Sequence, residues 1–375
     1  MAPVPARVLH LCAGNLYGGV ERIVAECAVD RALCPQMSPQ FAVCFEGRLA
    51  EEIDASGARC ARLGAAAVSR PWTVLAARRR LAAILRDEPS RIVVCQSSWI
   101  FGLAAPVVRA ASGRLVLWLH DRVSGRSWPE RWARRTRPDL VIVNSRFTGE
   151  SVAALFPDAA VSVLYAPVGA DTAGEARSRL RASLGVDDRT PVVIVASRFE
   201  QWKGHRPLVE ALARIPEPWQ LWIAGRPQRA NENAYERELR ELVAAAGADA
   251  RVRFLGERRD VAACMRAADI HCQPNTAPEP FGLAFIEALY AGLPIVTTAL
   301  GGALEIVTDA CGVLVPAGDA GALTRALRRL VTDPEARRSL GAAGPVRARE
   351  LCDPRRQLGA LAELVEPLAA TGVPA

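Results

Sequence analysis

The sequence predicts an α/β protein built from two doubly wound parallel sheets, and three observations lead there. Short apolar runs alternate with amphipathic helical segments along nearly the whole chain, the rhythm of β-α-β units. That rhythm stops and restarts once, around Ala166-Pro167-Val168-Gly169-Ala170-Asp171. The chain of 375 residues also exceeds what one hydrophobic core usually organises. Two such sheets facing one another would leave a cleft, with ligand sites beyond the carboxyl ends of the strands.

In the first series the strand candidates are Arg7–Cys12, Phe41–Phe45, Arg91–Cys95, Arg114–Leu119, Leu140–Val143 and Val161–Leu164. Each is short and rich in bulky apolar side chains, as a strand covered on both faces requires. Between them, Val20–Ala32, Trp72–Arg86 and Phe147–Leu155 carry apolar residues at helical spacing. The break at 167–190 sets a boundary near 168, and a polar helical stretch follows it. The second series runs Pro191–Ala196, Gln220–Ala224, Arg251–Leu255, Ile270–Cys272, Pro294–Thr297 and Gly312–Val315, with helices such as Glu232–Ala246 and Asp260–Ala267. Helical segments Asp333–Leu340 and Pro354–Leu368 close the chain. The expected domains are therefore 1–168 and 169–350, followed by a helical segment over 351–375.

Half of the residues are apolar, yet no run approaches the ~18 needed to span a bilayer. Met1 to Gly19 reads as a first strand and its loop rather than an export signal. The ten cysteines are scattered, without a C-x-x-C pair or a zinc-like cluster, so a reducing, cytoplasmic setting and no structural metal are expected. The net charge of +7 comes from the first half: residues 1–170 hold 21 arginines against 14 acidic residues. Much of it lies in 120–138, where Arg122, Arg126, Arg131, Arg134, Arg135 and Arg137 mingle with Trp128 and Trp132. Such a segment suits an anionic membrane or a phosphate surface; a solvated arginine-rich helix is the plainer alternative. No nucleic-acid-binding module is recognisable.

Of the 47 basic residues, Lys203 alone is a lysine. It stands in Ser197-Arg198-Phe199-Glu200-Gln201-Trp202-Lys203-Gly204, directly after the first strand of the second series. An ammonium is a compact point charge on a flexible stem and fits a crowded phosphate oxygen, whereas a guanidinium is a broad planar fork. A residue left over by chance is the bland alternative. Some eighty residues later the chain reads Asn275-Thr276-Ala277-Pro278-Glu279-Pro280-Phe281-Gly282-Leu283-Ala284-Phe285-Ile286-Glu287. The prolines stiffen a loop around Glu279, and Gly282 opens a helix whose first amides, on Phe281, Gly282 and Leu283, suit a phosphate. Two carboxylates beside an anion site make sense as clamps on hydroxyls, since each can accept from a vicinal diol. A capped helix with one exposed and one paired glutamate stays open as the other reading.

Glu279-Pro280-Phe281-Gly282 through Glu287 resembles the E-x7-E signature of family 4 glycosyltransferases, retaining enzymes of the GT-B fold. The likeness extends over nearly the whole chain: Gly18-Gly19-Val20-Glu21, His120-Asp121, Asn144-Ser145-Arg146-Phe147, Val168-Gly169-Ala170-Asp171, Arg198 with Lys203-Gly204, and Ala224-Gly225. The resemblance implies an acceptor-binding first domain, a nucleotide-sugar-binding second domain and a last helix that crosses back to the first. It implies that Glu279 holds hydroxyls of the donor sugar and Glu287 the ribose diol. Arg198 and Lys203 would neutralise the diphosphate, helped by the amides of Phe281, Gly282 and Leu283, with Gly225 nearby. His120 would contact the sugar near its reacting face, Gly18 and Gly19 would let backbone approach the ligand, and Asp121, Asn144 and Ser145 would lie on the acceptor side.

The implied reaction needs no protein nucleophile, cofactor or metal, and the chain contains no D-x-D triplet. The expected partners are a nucleotide sugar, with uridine leaned to over guanosine on family frequency alone, and a glycan, lipid-linked or small-molecule acceptor. Peripheral contact with the inner face of a membrane through 120–138 is part of that expectation. A sugar-nucleotide epimerase on the same scaffold and a non-catalytic sugar-nucleotide binder are the rivals. His205 and His271 read as packing or loop residues, Trp202 as a pocket wall or surface cover, and Gly301-Gly302 with Glu305 as pocket lining or a helix cap.

Overall fold

The computed structural model of the chain describes residues 5–87 and 92–370. It divides into two compact units, one of Met1–Val168 with Cys352–Ala375 and one of Gly169–Leu351. In the first unit, β1 (Ala6–Cys12), β2 (Met37–Val43), β3 (Cys60–Arg62), β4 (Ile92–Cys95), β5 (Arg114–Leu119), β6 (Leu140–Val143) and β7 (Val161–Val163) form one sheet. All neighbouring pairs are parallel, in the order β3-β2-β1-β4-β5-β6-β7. The order reverses between β1 and β4, so the loops after these strands flank the switch point where open α/β sheets bind ligands.

The second unit repeats the plan with β8 (Val192–Ala196), β9 (Gln220–Ala224), β10 (Val252–Gly256), β11 (Ile270–Gln273), β12 (Ile295–Thr298) and β13 (Gly312–Val315). The order is β10-β9-β8-β11-β12-β13, again parallel throughout, with the switch between β8 and β11. The Lys203 loop leaves β8 and the Glu279 loop leaves β11, so residues far apart in sequence meet at this switch point.

Period-two alternation sorts each strand onto two covered faces. In the first unit Leu9, Leu11, Val93, Cys95, Leu115 and Leu117 join the helices Pro71–Asp87 and Ser98–Ala110 in one core. The opposite face carries His10, Trp118 and His120, and the helix Pro354–Ala370 packs on β1 and β4 from residues such as Leu361 and Val365. The amide of Val168 donates to the carbonyl of Cys352 at 3.1 Å, tying the end of the first sheet to the returning chain. In the second unit Arg181 is fully buried, donating to carbonyls of Asp187, Thr190 and Ala267 and pairing with Asp269 at 3.1 Å, which anchors the segment before β8.

Several elements differ from the sequence expectation, each for a local reason. β2 begins at Met37, through Pro39, because β3 pairs only with Phe41 to Val43 and leaves the proline without a neighbour on that side. The strand β3 is three residues long and has too little apolar pattern to read in advance. The expected helix Phe147–Leu155 is a single turn, Arg146–Gly149, followed by a 3₁₀ turn at Val152–Ala154; Ser151 Oγ donates to Thr148 O at 2.7 Å and accepts from Val123 N at 3.0 Å. The helix expected to end at Leu340 runs from Pro334 to Cys352. Its Gly341 and Gly344 are contact points rather than stops, since a Cβ there would lie 2.2 Å from Gly292 O and 2.7 Å from Leu289 O. Arg91 and residues 371–375 of the expected elements lie outside the described residues. Among the described residues no helix is long and apolar enough to cross a membrane.

Candidate active site

The loop after β8 is held to the loop after β11 by backbone. Thr276 N donates to Trp202 O at 2.8 Å. Gly204, at φ +81°, lies so close to Pro274 that a Cβ would stand 2.0 Å from its carbonyl oxygen, so only glycine permits the approach. Gly225 plays a similar part after β9, where a Cβ would lie 2.1 Å from Ser197 O.

This approach delivers Lys203 Nζ to Glu279 Oε2 at 2.8 Å, with side-chain exposures of only 15% and 8%. The same carboxylate oxygen accepts from Gln273 Nε2 at 3.0 Å and Asn275 Nδ2 at 3.2 Å. A carboxylate this far from water would cost several kcal/mol if unpaired, and three converging donors offset that. The second oxygen, Oε1, has no protein partner among the described residues. Thr297 Oγ1 steadies Gln273 by donating to its carbonyl at 2.8 Å, and the Gly302 amide steadies Glu279 in the same way at 2.7 Å. Gly301-Gly302 therefore fixes the backbone of Glu279. Trp202 covers the ammonium, with Nζ 4.0 Å from the ring centroid.

Arg198 is engaged elsewhere, with Glu200 and, at 3.8 Å, with Glu232. Gly282, at φ +103°, opens the helix Leu283–Tyr290, and a Cβ there would strike the Phe285 ring at 2.3 Å. Phe281 is buried, while Leu283 and Glu287 are half-buried on that helix. First-turn amides of such a helix lack intrahelical acceptors, so Gly282 and Leu283 present donors beside the Lys203 and Glu279 pair. His205 stacks on Phe199 at 5.2 Å and meets Ser197 Oγ at 3.1 Å, while His271 packs edge-on to Phe285. Burial, reinforced for His205 by the Lys203 charge, pushes both rings down to about 3, so they are neutral packing groups.

In the first unit His120 follows β5, is 7% exposed and stacks on Trp118 at 5.5 Å. Its Nε2 lies 2.8 Å from Gln96 Oε1, and Asn144 Nδ2 donates to its carbonyl at 2.9 Å. Burial lowers its pKa to about 3. Ser145 is a fully buried N-cap whose hydroxyl accepts from Thr148 N at 3.0 Å. Gly18 precedes the helix Gly19–Val29, and its amide donates to Glu21 Oε2 at 3.0 Å. Asp121 is exposed. Sequence reasoning gave no role to Gln96, Gln273 or Asn275, because a lone amide side chain at a strand end carries no local signal.

The basic segment is partly structural. Arg122 donates to Phe147 O and pairs with Glu150, Arg134 donates to Ala154 O, and Arg137 to Asp158 O. Trp132 packs against Gly102 and under Arg78, whereas Trp128 is 48% exposed and Arg126, Arg131 and Arg135 face solvent. Among the described residues, no three His, Cys, Asp or Glu side chains gather as a metal site.

Two parallel doubly wound units, each with a polar cluster beyond its strand ends, define the class of nucleotide-sugar-handling GT-B proteins. Residues 17–172 match the family described as Glycosyltransferase Family 4, and residues 176–347 match Glycosyl transferases group 1. The chain belongs to the family 4 glycosyltransferases. A GDP-mannose-dependent monoacylated alpha-(1-6)-phosphatidylinositol monomannoside mannosyltransferase of Corynebacterium glutamicum is 34% identical over 182 residues, 45% of this chain and 45% of that one. A phosphatidyl-myo-inositol mannosyltransferase of Mycobacterium leprae is 37% identical over 40% of each chain, so these matches span less than half of either relative. A GDP-mannose-dependent alpha-(1-6)-phosphatidylinositol monomannoside mannosyltransferase of Mycolicibacterium smegmatis is 29% identical over 79% of this chain and 81% of its own length. Among solved structures, Anabaena HepE in complex with UDP-glucose superposes with a TM-score of 0.85 at 23% identity, over 96% of this chain and 99% of that one. That likeness speaks for the fold.

Proposed function

We propose that the chain is a retaining glycosyltransferase that moves a hexose from a nucleoside-diphosphate sugar to a hydroxyl of a glycan, lipid-linked or small-molecule acceptor, without a divalent metal. The observation that carries this reading is Glu279. Three donors hold one of its oxygens in place, and the other is left to accept a sugar hydroxyl. Lys203 and the amides of Gly282 and Leu283 stand beside it to receive the diphosphate. Departure of that group builds negative charge on phosphate oxygen and positive charge on the sugar ring. A preorganised ammonium and helix amides stabilise the first, and the nearby carboxylate the second. Arg198 completes the neutralisation of the diphosphate, Glu287 takes the ribose diol, and His120 meets a sugar hydroxyl. Retention follows when the acceptor attacks on the face the phosphate leaves, with the phosphate taking the acceptor's proton.

The lean to uridine rests on no side chain. Two of the relatives above are named for GDP-mannose, one of them matching 79% of this chain, which favours guanosine diphosphate and mannose as the donor. Their lipid acceptors likewise favour a lipid-linked acceptor, met at the inner face of a membrane by Trp128 and the exposed arginines of 120–138. The test is thermal unfolding with GDP and with UDP, followed by transfer assays from a panel of nucleotide sugars with EDTA present. A ligand at 100 times its Kd stabilises by about 2.7 kcal/mol, enough for a clear shift. GDP is expected to stabilise more than UDP, and the product anomer to match the donor's. A shift without transfer would favour a binder, conversion of the donor without an acceptor an epimerase, and no response to any nucleotide would sink the reading.

A further inference from the structure

The first unit's sheet brings three polar side chains to one face at its switch point. His10 lies on β1, Gln96 directly follows β4, and His120 directly follows β5; they are 0%, 2% and 7% exposed. Gln96 stands between the two rings. Its Oε1 is 2.8 Å from His120 Nε2, and its Nε2 is 3.3 Å from His10 Nδ1. An amide oxygen only accepts and an amide nitrogen only donates. Hence His120 carries its proton on Nε2, and His10 offers the lone pair of Nδ1. Burial lowers the two rings to about 3 and about 4, so each is neutral near pH 7 and carries a single proton. The remaining nitrogens are then set: His120 Nδ1 is a bare acceptor and His10 Nε2 a donor. Both are buried and have no hydrogen-bond partner among the described residues.

We propose that Gln96 is a positioning residue that locks His120 in the tautomer protonated at Nε2, so that Nδ1 accepts a hydrogen bond from a hydroxyl of the bound sugar. This rests on the reading that His120 meets the sugar. Acceptance matters chemically. A hydroxyl that gives its proton towards Nδ1 gains electron density on oxygen, which favours the positive charge that develops on the ring as the phosphate leaves. A ring with the proton on Nδ1 would pull density the other way. His10 has the complementary task of holding the amide by its nitrogen, so that Gln96 does not turn over and reverse the assignment. That accounts for a buried histidine with one unpartnered nitrogen, stacked on Phe41 at 5.4 Å, in a strand otherwise filled by Val8, Leu9 and Leu11.

The test combines spectroscopy with kinetics on the full chain. With ¹⁵N-labelled histidine and the four rings assigned by single substitution, the wild type is expected to show His120 protonated at Nε2. In Gln96→Met, of similar bulk without the amide, that tautomer is expected to become mixed. Turnover should fall about tenfold or more while the donor KM stays within about twofold, because the ground-state contact survives and the transition-state gain does not. A wild-type spectrum with the His120 proton on Nδ1 would overturn the lock whether or not the variant folds. So would a Gln96→Met protein with unchanged tautomer or unchanged turnover. Wild-type transfer by His120→Ala, with the lock still visible, would overturn the sugar contact and leave the Lys203 and Glu279 half of the functional reading intact.

Discussion

Replacing Lys203 separates its two roles. In Lys203→Met the ammonium 2.8 Å from Glu279 Oε2 disappears, and the carboxylate stays 8% exposed with Gln273 and Asn275 as its remaining donors. Deleting one partner of a buried ion pair costs roughly 3–5 kcal/mol when the other charge is stranded. Two amides still hold the same oxygen, so the lower edge, about 2–3 kcal/mol, is expected. Adding Glu279→Gln removes the stranded charge, and the double-mutant cycle should return a coupling of about 1–2 kcal/mol. Urea unfolding measures both, with hydrogen exchange over 270–290 reporting the second unit apart from the first. Lys203→Arg keeps the charge but places a planar fork between Glu279 and the Trp202 ring, which already lies 4.0 Å from Nζ. Its unfolding should move less than that of Lys203→Met while turnover drops at least about tenfold, within the ~10²–10³ range for losing one preorganised donor. Zero coupling, with Lys203→Met within about 0.5 kcal/mol of wild type, would refute the buried pair. Wild-type turnover in Lys203→Arg would refute the need for an ammonium.

Acid should weaken both units. His10, His120, His205 and His271 are held at about 4, 3, 3 and 3 by burial, against 6.5 in the unfolded chain. Below pH 6.5 the unfolded chain binds protons that the folded one refuses, so stability is complete above 6.5 and falls as pH drops towards 4. Between pH 7 and 5.5 each ring removes about 1 kcal/mol. Unfolding midpoints measured across that range test this, and a flat profile would contradict it; His271→Leu, replacing a ring without hydrogen bonds, should lessen the slope. Gly204→Ala is expected to cost about 2–4 kcal/mol, from its positive φ and the 2.0 Å approach to Pro274 O. Gly185→Ala, at φ +69° with open space around it, should cost only about 1 kcal/mol. Equal losses would mean that the loop contact at Gly204 has no energetic weight.

Lys203 and Glu279 were legible in the sequence because their chemistry is written in residue type and their loops follow apolar strands. Nothing in the order of residues, however, said which carboxylate would meet which cation. That depends on β8 lying beside β11, a pairing of strands some seventy residues apart. Gln96 was hidden for the same reason: β1, β4 and β5 are neighbours only in the sheet, and without that order the residue is one amide between a strand and a helix. Helix length failed where glycine was read as a breaker. At Gly341 and Gly344 it serves contact with Gly292 and Leu289, and a close approach leaves no mark on local propensity.

The largest revision concerns charge. Sequence reasoning saw two cations gathered to meet a diphosphate, whereas in the structure both are already compensated, Lys203 by Glu279 and Arg198 by Glu200 and Glu232. Two cations facing three carboxylates do not attract a dianion by themselves. A phosphate entering here must draw Lys203 from Glu279 and lean on the amides that open the helix Leu283–Tyr290, whose partial positive charge no side-chain cap cancels. Such a site favours a ligand that brings hydroxyls together with its phosphates. The carboxylate released by the ammonium then has a sugar hydroxyl to accept from, and the cost of parting the pair is offset at both ends. A bare diphosphate offers only the first half of that exchange. The paired resting state thus acts as a discriminator, in which sugar and phosphate are recognised through the same ion pair.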